Sequence, residues 1–498
     1  MTKIGLTYLK GSVPGFENFG NLPTDFVNSE GLVDGNKASK ELDALIIPGG
    51  TLLESHDYTK GLEREIKQIA KEGKPIIGIC AGLQLLANQT DIGRNSPQPI
   101  IKEGLGLIDV ELSPLISSDR VKAKVFNNSY LTEGITEEIT GFHTHTYGKI
   151  TGDAKPVFYS QIQRMNYGDV NKENEYNIFS GACNDDGNVV GTMIHNCLDE
   201  NPKLVENILK FMDVENPEDI YTRNTSFKEK LNHEVGVKSN ISIANREKSK
   251  NPKFLMIASN GSDSGKTFIL TGLAGALRKR GYKVGLLKVG PDVRDLIPGL
   301  YLTKGLMEEY SSVKIGHLGW NDFRSTIDKI KNSDYDIILI EGVMSVLTGI
   351  LNPITPYSAA EIALSANVPM ILVGGVNKGG IESTAVELTS HANLIKKLGG
   401  SVKGIILNKI YNQEIFENVI PYIKNNTEIA NIQSIEKQKL AKRGNTPEVE
   451  IKYDEFSIAA LNTIENNLNI DEIIAMAEPV EFNRYLDFKE IQEKFNEG

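Results

Sequence analysis

The chain has 498 residues, of which 40% are hydrophobic and 24% are charged, and its formal net charge is −11. This length exceeds what one hydrophobic core usually supports and predicts two or three globular domains. The acidic balance argues against nucleic acid or an anionic membrane as the main partner. Three cysteines without a CxxC pair argue against a disulfide framework or a zinc site, and no run of 18 apolar residues occurs, so we expect a cytoplasmic protein.

Strand-like and helical runs alternate from Met1 to about Met212, which predicts an α/β domain over residues 1–214. The run at Met1 is typical of an opening strand rather than of a signal peptide. A later apolar run ends in the turn formed by Gly49 and Gly50, a position from which backbone amides can face an oxyanion.

Cys80 follows the strand-like run 76–79 and precedes a helical run that contains Leu83, Leu85 and Leu86. This placement is typical of a nucleophile on a sharp turn, with its thiol exposed at the sheet edge. The following helix N-terminus would stabilise a thiolate, and the backbone N–H of Ala81 is a candidate oxyanion donor. Because a lone cysteine among apolar residues is usually a small buried hydrophobe, the interpretation depends on partners elsewhere in the chain.

His195 supplies such a partner, since it ends a third strand-like run, residues 187–194. Strand ends on one edge of a parallel sheet converge. Cys80, the Gly49–Gly50 turn and His195 are therefore predicted to meet, as a nucleophile, an oxyanion turn and a base.

Residues 215–252 are polar and weakly periodic, and we interpret them as a linker. A second α/β domain is predicted over residues 253–498. Its expected strands lie at 254–258, 283–288, 336–341, 370–373 and 404–407, with room for crossover helices.

The segment 259–267 lies between a predicted strand and a predicted helix, as a P-loop does. Its glycine spacing is irregular, because Asn260 stands where the standard pattern has glycine, and a simple Ser/Gly turn is the alternative. Strand-end carboxylates and a lysine further along favour a nucleotide with magnesium. The loop residues expected to contact nucleotide are Gly261, Ser264, Gly265, Lys266 and Thr267.

Three segments together resemble a known family. Pro48-Gly49-Gly50, the run GICAGLQLL around Cys80 and the run GTMIH ending at His195 resemble the class I glutamine amidotransferases, whose domain is flavodoxin-like. Cys197 stands where one branch carries the acidic member of a Cys-His-Glu triad, so the domain is similar to the cobyric acid synthase branch. The resemblance implies L-glutamine as substrate. It implies glutamine or oxyanion contacts at Gly49, Gly50, Ala81 and Gln84.

The segment 141–148 is similar to the Gly-Tyr-Glu-x-His-x-Gly motif of that branch. It differs in two ways, since His143 stands where Glu is expected and one residue is inserted before Gly148. The resemblance therefore implies no role for His143 and only a positioning role for His145.

The second domain resembles the synthetase domain of cobyrinate a,c-diamide synthase and, more distantly, dethiobiotin synthetase. The matching segments are Gly265-Lys266-Thr267, KVGPD, EGVM, VPMILVGG and GIILNK. The resemblance implies that Mg²⁺ is held by Thr267, Asp292 and Glu341. It implies that Lys266 and Lys288 contact phosphates and that Asn408 contacts adenine. After Asp292 the usual Tyr-Ile-Asp-Pro is replaced by Val-Arg-Asp-Leu, and the domain order is reversed, so the acceptor stays open.

Together these features predict ATP- and glutamine-dependent amidation of carboxylates on a small-molecule acid. By resemblance, the acid would be a tetrapyrrole of cobalamin biosynthesis, and ATP and Mg²⁺ would be required. A cell-envelope peptide precursor is an alternative acceptor. A nucleotide-dependent regulatory P-loop protein is a further alternative, although a switch has no use for a Cys-His pair. The sequence predicts no membrane partner and leaves open whether the chain forms a homodimer.

Overall fold

The computed structural model describes residues 1–8, 16–50, 58–94, 96–164, 174–234, 251–353, 358–377, 379–438 and 453–496. The described residues up to 234 belong to one compact unit, and those of 251–438 and 455–496 belong to a second. Each unit has its own hydrophobic core. In these ranges no helix has the length and apolar character needed to cross a bilayer.

The N-terminal unit begins with four short strands, after which helices and strands alternate as the hydrophobic pattern predicts. These elements are β1 (Ile4–Thr7), β2 (Asp25–Val27), β3 (Leu32–Val33), β4 (Asn36–Lys37), α1 (Ala38–Glu41), β5 (Ala44–Ile47), α2 (Lys60–Lys71), β6 (Ile76–Ile79) and α3 (Ala81–Leu86). A short 3₁₀ helix, Phe19–Asn21, precedes β2.

Strands then dominate the middle of this unit, and helices return at its end. The elements are β7 (Gln89–Asp91), β8 (Ile101–Glu103), β9 (Val110–Ser113), β10 (Arg120–Val125), β11 (Ile139–Phe142), β12 (Lys149–Gly152), β13 (Lys155–Arg164), β14 (Asn174–Cys183), β15 (Val189–Thr192), α4 (Cys197–Glu200), α5 (Pro202–Phe211) and α6 (Pro217–Glu234).

The main sheet has the order β11-β10-β13-β14-β15-β6-β5-β1-β2. The strands from β15 to β2 run parallel, whereas those from β11 to β15 pair antiparallel. The predicted parallel sheet therefore accounts for one half of the observed one. Within that half, the ends of β5, β6 and β15 lie side by side, since Ile47 pairs with Gly78 and Thr192 with Ile79. Residues that follow these strands consequently meet at one edge.

Helix α6 lies in the segment that the sequence suggests is a linker. Phe227 is buried in the first core, and the side-chain amide of Asn224 donates to the carbonyl oxygen of Pro23 at 2.8 Å. This part of 215–252 is therefore a helix of the first unit. Its apolar stripe is narrow, which explains why the sequence pattern is weak. Residues 235–250 lie outside the described residues.

The second unit alternates strands and helices along most of its length. Its elements are β16 (Lys253–Ser259), α7 (Lys266–Lys279), β17 (Val284–Val289), α8 (Ile297–Thr303), β18 (Ser312–Val313), α9 (Phe323–Lys331), β19 (Ile337–Glu341), α10 (Ala359–Ser365), β20 (Met370–Gly375), α11 (Gly380–Lys397), β21 (Val402–Ile410), α12 (Gln413–Thr427), β22 (Asn431–Glu436), α13 (Tyr453–Asn467), α14 (Ile470–Met476) and α15 (Phe488–Asn496).

All pairings in this second sheet are parallel, in the order β18-β17-β19-β16-β20-β21-β22. The five strands predicted for this region are confirmed as β16, β17, β19, β20 and β21. The loop after β16 and the carboxyl ends of β17 and β19 lie at one edge, which is where open α/β sheets bind ligands.

Close packing of α3 on the sheet generates a stability prediction. A methyl group on Gly82 would overlap the carbonyl oxygen of Ile47. We expect Gly82→Ala to lower the free energy of unfolding by about 2–3 kcal/mol, because backbone rather than a flexible side chain must move. Urea unfolding followed by circular dichroism measures this loss.

Gly134 provides the matched control, since a methyl group there meets open space but its φ is +68°. Gly134→Ala should cost only about 1 kcal/mol, from backbone strain. Equal losses in the two variants would contradict the packing explanation.

Candidate functional site

Cys80 lies on a sharp turn between β6 and α3. Its φ of 51° and ψ of −104° are unusual for a residue with a side chain, and its backbone N–H donates to the carbonyl oxygen of Thr192 at 2.7 Å. The strand–turn–helix context predicted for the nucleophile is confirmed. The expectation of an exposed thiol is wrong, since Cys80 is 7% exposed and belongs to the first core.

Gly49, Cys80 and His195 meet at the carboxyl edge of the sheet. A methyl group on Gly49 would lie 2.6 Å from Cε1 of His195 and 3.6 Å from Cβ of Cys80, so only glycine fits between them. Gly50 has a φ of +129°, which also favours glycine. Residues 51–57 lie outside the described residues, and the oxyanion role of this turn stays a prediction.

Glu17, which the sequence did not identify as a site residue, contacts His195 at Nδ1 of the ring. Its Oε1 hydrogen-bonds Nδ1 of His195, and its Oε2 accepts the backbone N–H of Asn196 at 2.8 Å. Both side chains of the Glu17–His195 pair are almost fully buried. Burial lowers the pKa of His195, but Glu17 and Cys80 raise it more, to about 10. The imidazole is therefore oriented, and its protonated form is favoured beside the thiol.

The segment that carries Glu17 is held by a second carboxylate. Asp199 accepts the backbone N–H groups of Asn18 and Gly20, both at 2.7 Å. Glu17 has no detectable sequence signal, because its segment is irregular and 178 residues separate it from His195. Only the folded chain reveals this candidate triad of Cys80, His195 and Glu17.

The remaining predicted glutamine contacts lie close to this triad. Ala81 begins α3, and the backbone N–H of Gln84 donates to the carbonyl oxygen of Cys80 at 3.1 Å. The Gln84 side chain is buried and donates to the carbonyl oxygen of Tyr147 at 3.4 Å. His145 bonds the carbonyl oxygen of Leu115 through Nδ1 at 2.9 Å. These positions are compatible with substrate contact, and their roles stay predictions.

The candidate P-loop of the second unit wraps the side chain of Lys266. Its Nζ donates to Ser259 Oγ at 2.8 Å and to the carbonyl oxygens of Gly261 and Met344 at 3.2 and 2.9 Å. Burial lowers the pKa of Lys266 to about 8. Gly265 has a φ of +93° at the start of α7, which suits a loop that folds around an anion.

Asn260 explains the irregular glycine spacing of this loop. Its Oδ1 accepts the Ser264 hydroxyl at 2.9 Å, while its Nδ2 donates to Glu387 of α11 at 2.8 Å. Asn408 donates to the carbonyl oxygen of Ser264 at 2.8 Å. The side chains of Asn260 and Asn408 thus stabilise the loop by hydrogen bonds. The standard pattern has glycine, which has no side chain, at the position of Asn260.

A buried charge cluster lies beside the loop. The Thr267 hydroxyl donates to Oε1 of Glu341 at 2.7 Å, and Lys288 Nζ donates to the same oxygen at 3.0 Å. Lys288 also donates to Asp295 at 2.5 Å. One lysine thus balances two carboxylates. Burial raises the pKa of Glu341 to about 7, and despite burial the two carboxylates raise the pKa of Lys288.

This cluster fits a magnesium ion. Oε2 of Glu341 is buried and has no hydrogen-bond partner among the described residues, and the Thr267 hydroxyl lies beside Oε1. In the described part of the chain, no three acidic, histidine or cysteine side chains converge on a metal site. Mg²⁺ often takes one or two protein oxygens together with phosphates, which matches this donor set. Asp292, also predicted as a ligand, accepts hydrogen bonds from Arg294 at 2.9 and 3.0 Å, and its role as a ligand stays a prediction.

Two segments of the chain match known domain families. Residues 14–203 match the CobB/CobQ-like glutamine amidotransferase domain, and residues 255–447 match the CobQ/CobB/MinD/ParA nucleotide binding domain.

Curated relatives align over parts of their length. A cobyric acid synthase of Clostridium botulinum is 33% identical over 204 residues, which cover 38% of this chain and 37% of that protein. A second one, from another strain, is 35% identical over 174 residues, covering 32% and 31%. A cobyrinate a,c-diamide synthase of Streptococcus sanguinis is 25% identical over 239 residues, covering 45% and 50%. The chain thus spans between 31% and 50% of the length of these relatives.

The Glu17 contact generates a prediction about thiol reactivity. Without the carboxylate, burial should dominate and lower the pKa of His195, so that less imidazolium remains near neutral pH to support the thiolate. We expect Glu17→Gln to slow alkylation of Cys80 by iodoacetamide at pH 7 by about 10- to 100-fold. Mass spectrometry of the Cys80 peptide over a pH series measures the rate.

Glu65→Gln is the matched control, since Glu65 is a buried carboxylate of the same unit that bonds Ser39 instead. It should leave Cys80 alkylation unchanged. An unaltered pH profile in Glu17→Gln would contradict the role of Glu17.

Proposed function

We propose that this chain, which joins a CobB/CobQ-like glutamine amidotransferase domain to a CobQ/CobB/MinD/ParA nucleotide binding domain, is a glutamine-hydrolysing, ATP-dependent carboxylate-amide ligase. The observation that carries the proposal is the buried Cys80–His195–Glu17 triad in a chain that also holds a P-loop. A regulatory switch would have no use for such a triad. A working thiol suits the reducing cytoplasm, where we place the protein.

The first reaction is hydrolysis of L-glutamine. Sγ of Cys80 attacks the side-chain amide carbon, and the backbone N–H groups of Ala81 and the Gly50 turn stabilise the oxyanion. His195 donates its proton to nitrogen as the C–N bond breaks and ammonia leaves. It then takes a proton from water, which attacks the thioester and releases glutamate and the thiolate. Glu17 keeps Nδ1 of His195 engaged, so that Nε2 performs both transfers.

The second reaction activates the acceptor. A carboxylate oxygen of the acid attacks the γ-phosphorus of ATP, giving an acyl phosphate and ADP. Ammonia then attacks the acyl carbon, and phosphate leaves as the amide forms. Lys266 and Lys288 balance phosphate charge, and Asn408 contacts adenine. Thr267 and Glu341 would hold Mg²⁺, which supplies positive charge at the phosphates when bound.

A tetrapyrrole carboxylic acid is the acceptor class that we propose. Its support is the names of the relatives, cobyric acid synthase and cobyrinate a,c-diamide synthase. Next to the nucleotide site this chain carries Arg294, which is paired with Asp292. A guanidinium there suits an anionic acceptor. Mass spectrometry of amidated products, with tetrapyrrole acids and envelope peptide precursors offered in parallel, distinguishes the acceptor classes.

Cys80→Ala should abolish release of glutamate from glutamine, because it removes the nucleophile. Amidation supplied with ammonium salt should persist, since ammonia bypasses the first reaction. Glutamate release and amide product are measured in the same samples. Retention of glutaminase activity by Cys80→Ala would exclude the proposed nucleophile.

Lys266→Ala should abolish amidation with either nitrogen source, because the activation step loses its phosphate contact. Glutamine- and ammonia-dependent product formation with ATP and Mg²⁺ provides the measurement. Lys329→Ala is a control at an exposed lysine of the same unit, paired with Glu309. If amidation survived in Lys266→Ala as it should in Lys329→Ala, the P-loop assignment would be wrong.

A further inference from the structure

His143, to which the sequence resemblance implies no role, lies on a segment that contacts the triad region at two points. The backbone groups of Phe142 and His195 bond each other in both directions, at 2.8 and 3.1 Å. Further along, the carbonyl oxygen of Tyr147 accepts the side chain of Gln84. In the sequence, His143 therefore lies between Phe142, whose backbone bonds that of His195, and Tyr147, which bonds Gln84 of α3.

A hydrogen-bond chain fixes the tautomer of His143. The Ser117 hydroxyl donates to Oδ2 of Asp119 at 2.8 Å, and Nδ1 of His143 lies 3.2 Å from the same hydroxyl oxygen. Burial raises the pKa of Asp119 to about 6, so near pH 7 it is a carboxylate and only accepts. The single proton of the Ser117 hydroxyl is thus used in the hydrogen bond to Asp119. Nδ1 of His143 must then carry the proton and donate to Ser117.

Nε2 of His143 consequently carries no proton and can only accept a hydrogen bond. The residue is fully buried, and among the described residues this nitrogen has no hydrogen-bond partner. Burial lowers the pKa of His143 well below its ordinary value, and His145 and His195 lower it further, so the ring is neutral. A buried acceptor without a donor is unfavourable, so we expect a donor to reach this nitrogen.

We propose that Nε2 of His143 accepts an N–H of the glutamine substrate, and that His143 determines specificity for glutamine in the Cys80 site. This inference rests on the proposed function. Glutamine offers two such donors, the side-chain carboxamide and the α-ammonium group. With the carboxamide as the donor, the neutral acceptor also discriminates against glutamate, whose side-chain carboxylate has no N–H to donate. Asp119 and Ser117 act on the substrate only through His143 and are positioning residues.

The first test compares two variants at this position. His143→Phe keeps a buried ring but removes the acceptor, and should raise KM for glutamine about 10- to 100-fold. His143→Gln can present an amide oxygen and should recover KM to within about fivefold of the original protein. Ammonia-dependent amidation should be unchanged in both, which separates a substrate contact from misfolding. Thr90→Val is the control for a buried hydroxyl of the same unit that has no partner among the described residues, and it should leave KM unchanged.

Glutaramate, which lacks the α-amino group, distinguishes the two donors. If the α-ammonium group is the donor, His143→Phe should not alter KM for glutaramate; if the carboxamide is the donor, KM should rise as it does for glutamine. An unchanged KM for glutamine in a folded His143→Phe protein would overturn the inference. Absence of glutaminase activity from the unaltered protein would instead overturn the proposed function.

A spectroscopic test needs no turnover. In Cys80→Ala protein with ¹⁵N-labelled histidine, the His143 signal should show a proton on Nδ1 and none on Nε2. Saturating glutamine should shift the Nε2 resonance toward that of a hydrogen-bonded acceptor, and Ser117→Ala should mix the two tautomers. A proton on Nε2, or no shift with glutamine, would show that this nitrogen serves only the protein interior or a bound water.

Discussion

The buried contact between Glu17 and His195 is the interaction on which the proposed chemistry of the first unit depends. Burial alone would remove the proton from the imidazole, and the carboxylate reverses that effect. The sheet brings Cys80 and His195 to one edge, but parallel strands cannot decide which ring nitrogen is engaged. That choice comes from Glu17, whose segment is tied to Asp199 by two backbone N–H groups.

The second unit also stabilises a buried charged side chain, with another set of residues. Lys288 is held among carboxylates at the end of β17, and Glu341 keeps one oxygen without a partner among the described residues. In both units a buried charge persists because an opposite charge lies in direct contact with it. Both sites lie at the carboxyl edge of parallel strands, where loops converge and the backbone is free to face a ligand.

Local patterns predicted much of this arrangement. Apolar runs bounded by glycine predicted the strands that end at Cys80 and Glu341, because burial and turn chemistry act within a few residues. Glu17 was not predicted, because its partner is far along the chain and its own segment has no periodicity. The antiparallel half of the first sheet was missed for a related reason. Its strands are half-exposed, so their pattern is weaker than that of a buried parallel strand.

The long sequence separation between Cys80 and His195 also has a consequence for biosynthesis. On the ribosome Cys80 emerges long before His195, so the nascent chain at first carries the thiol without the histidine. In the proposed mechanism the thiol gains its base only when β15 takes its place beside β6, which brings His195 to the sheet edge where Cys80 lies. Folding itself would thus be the step that completes the proposed site.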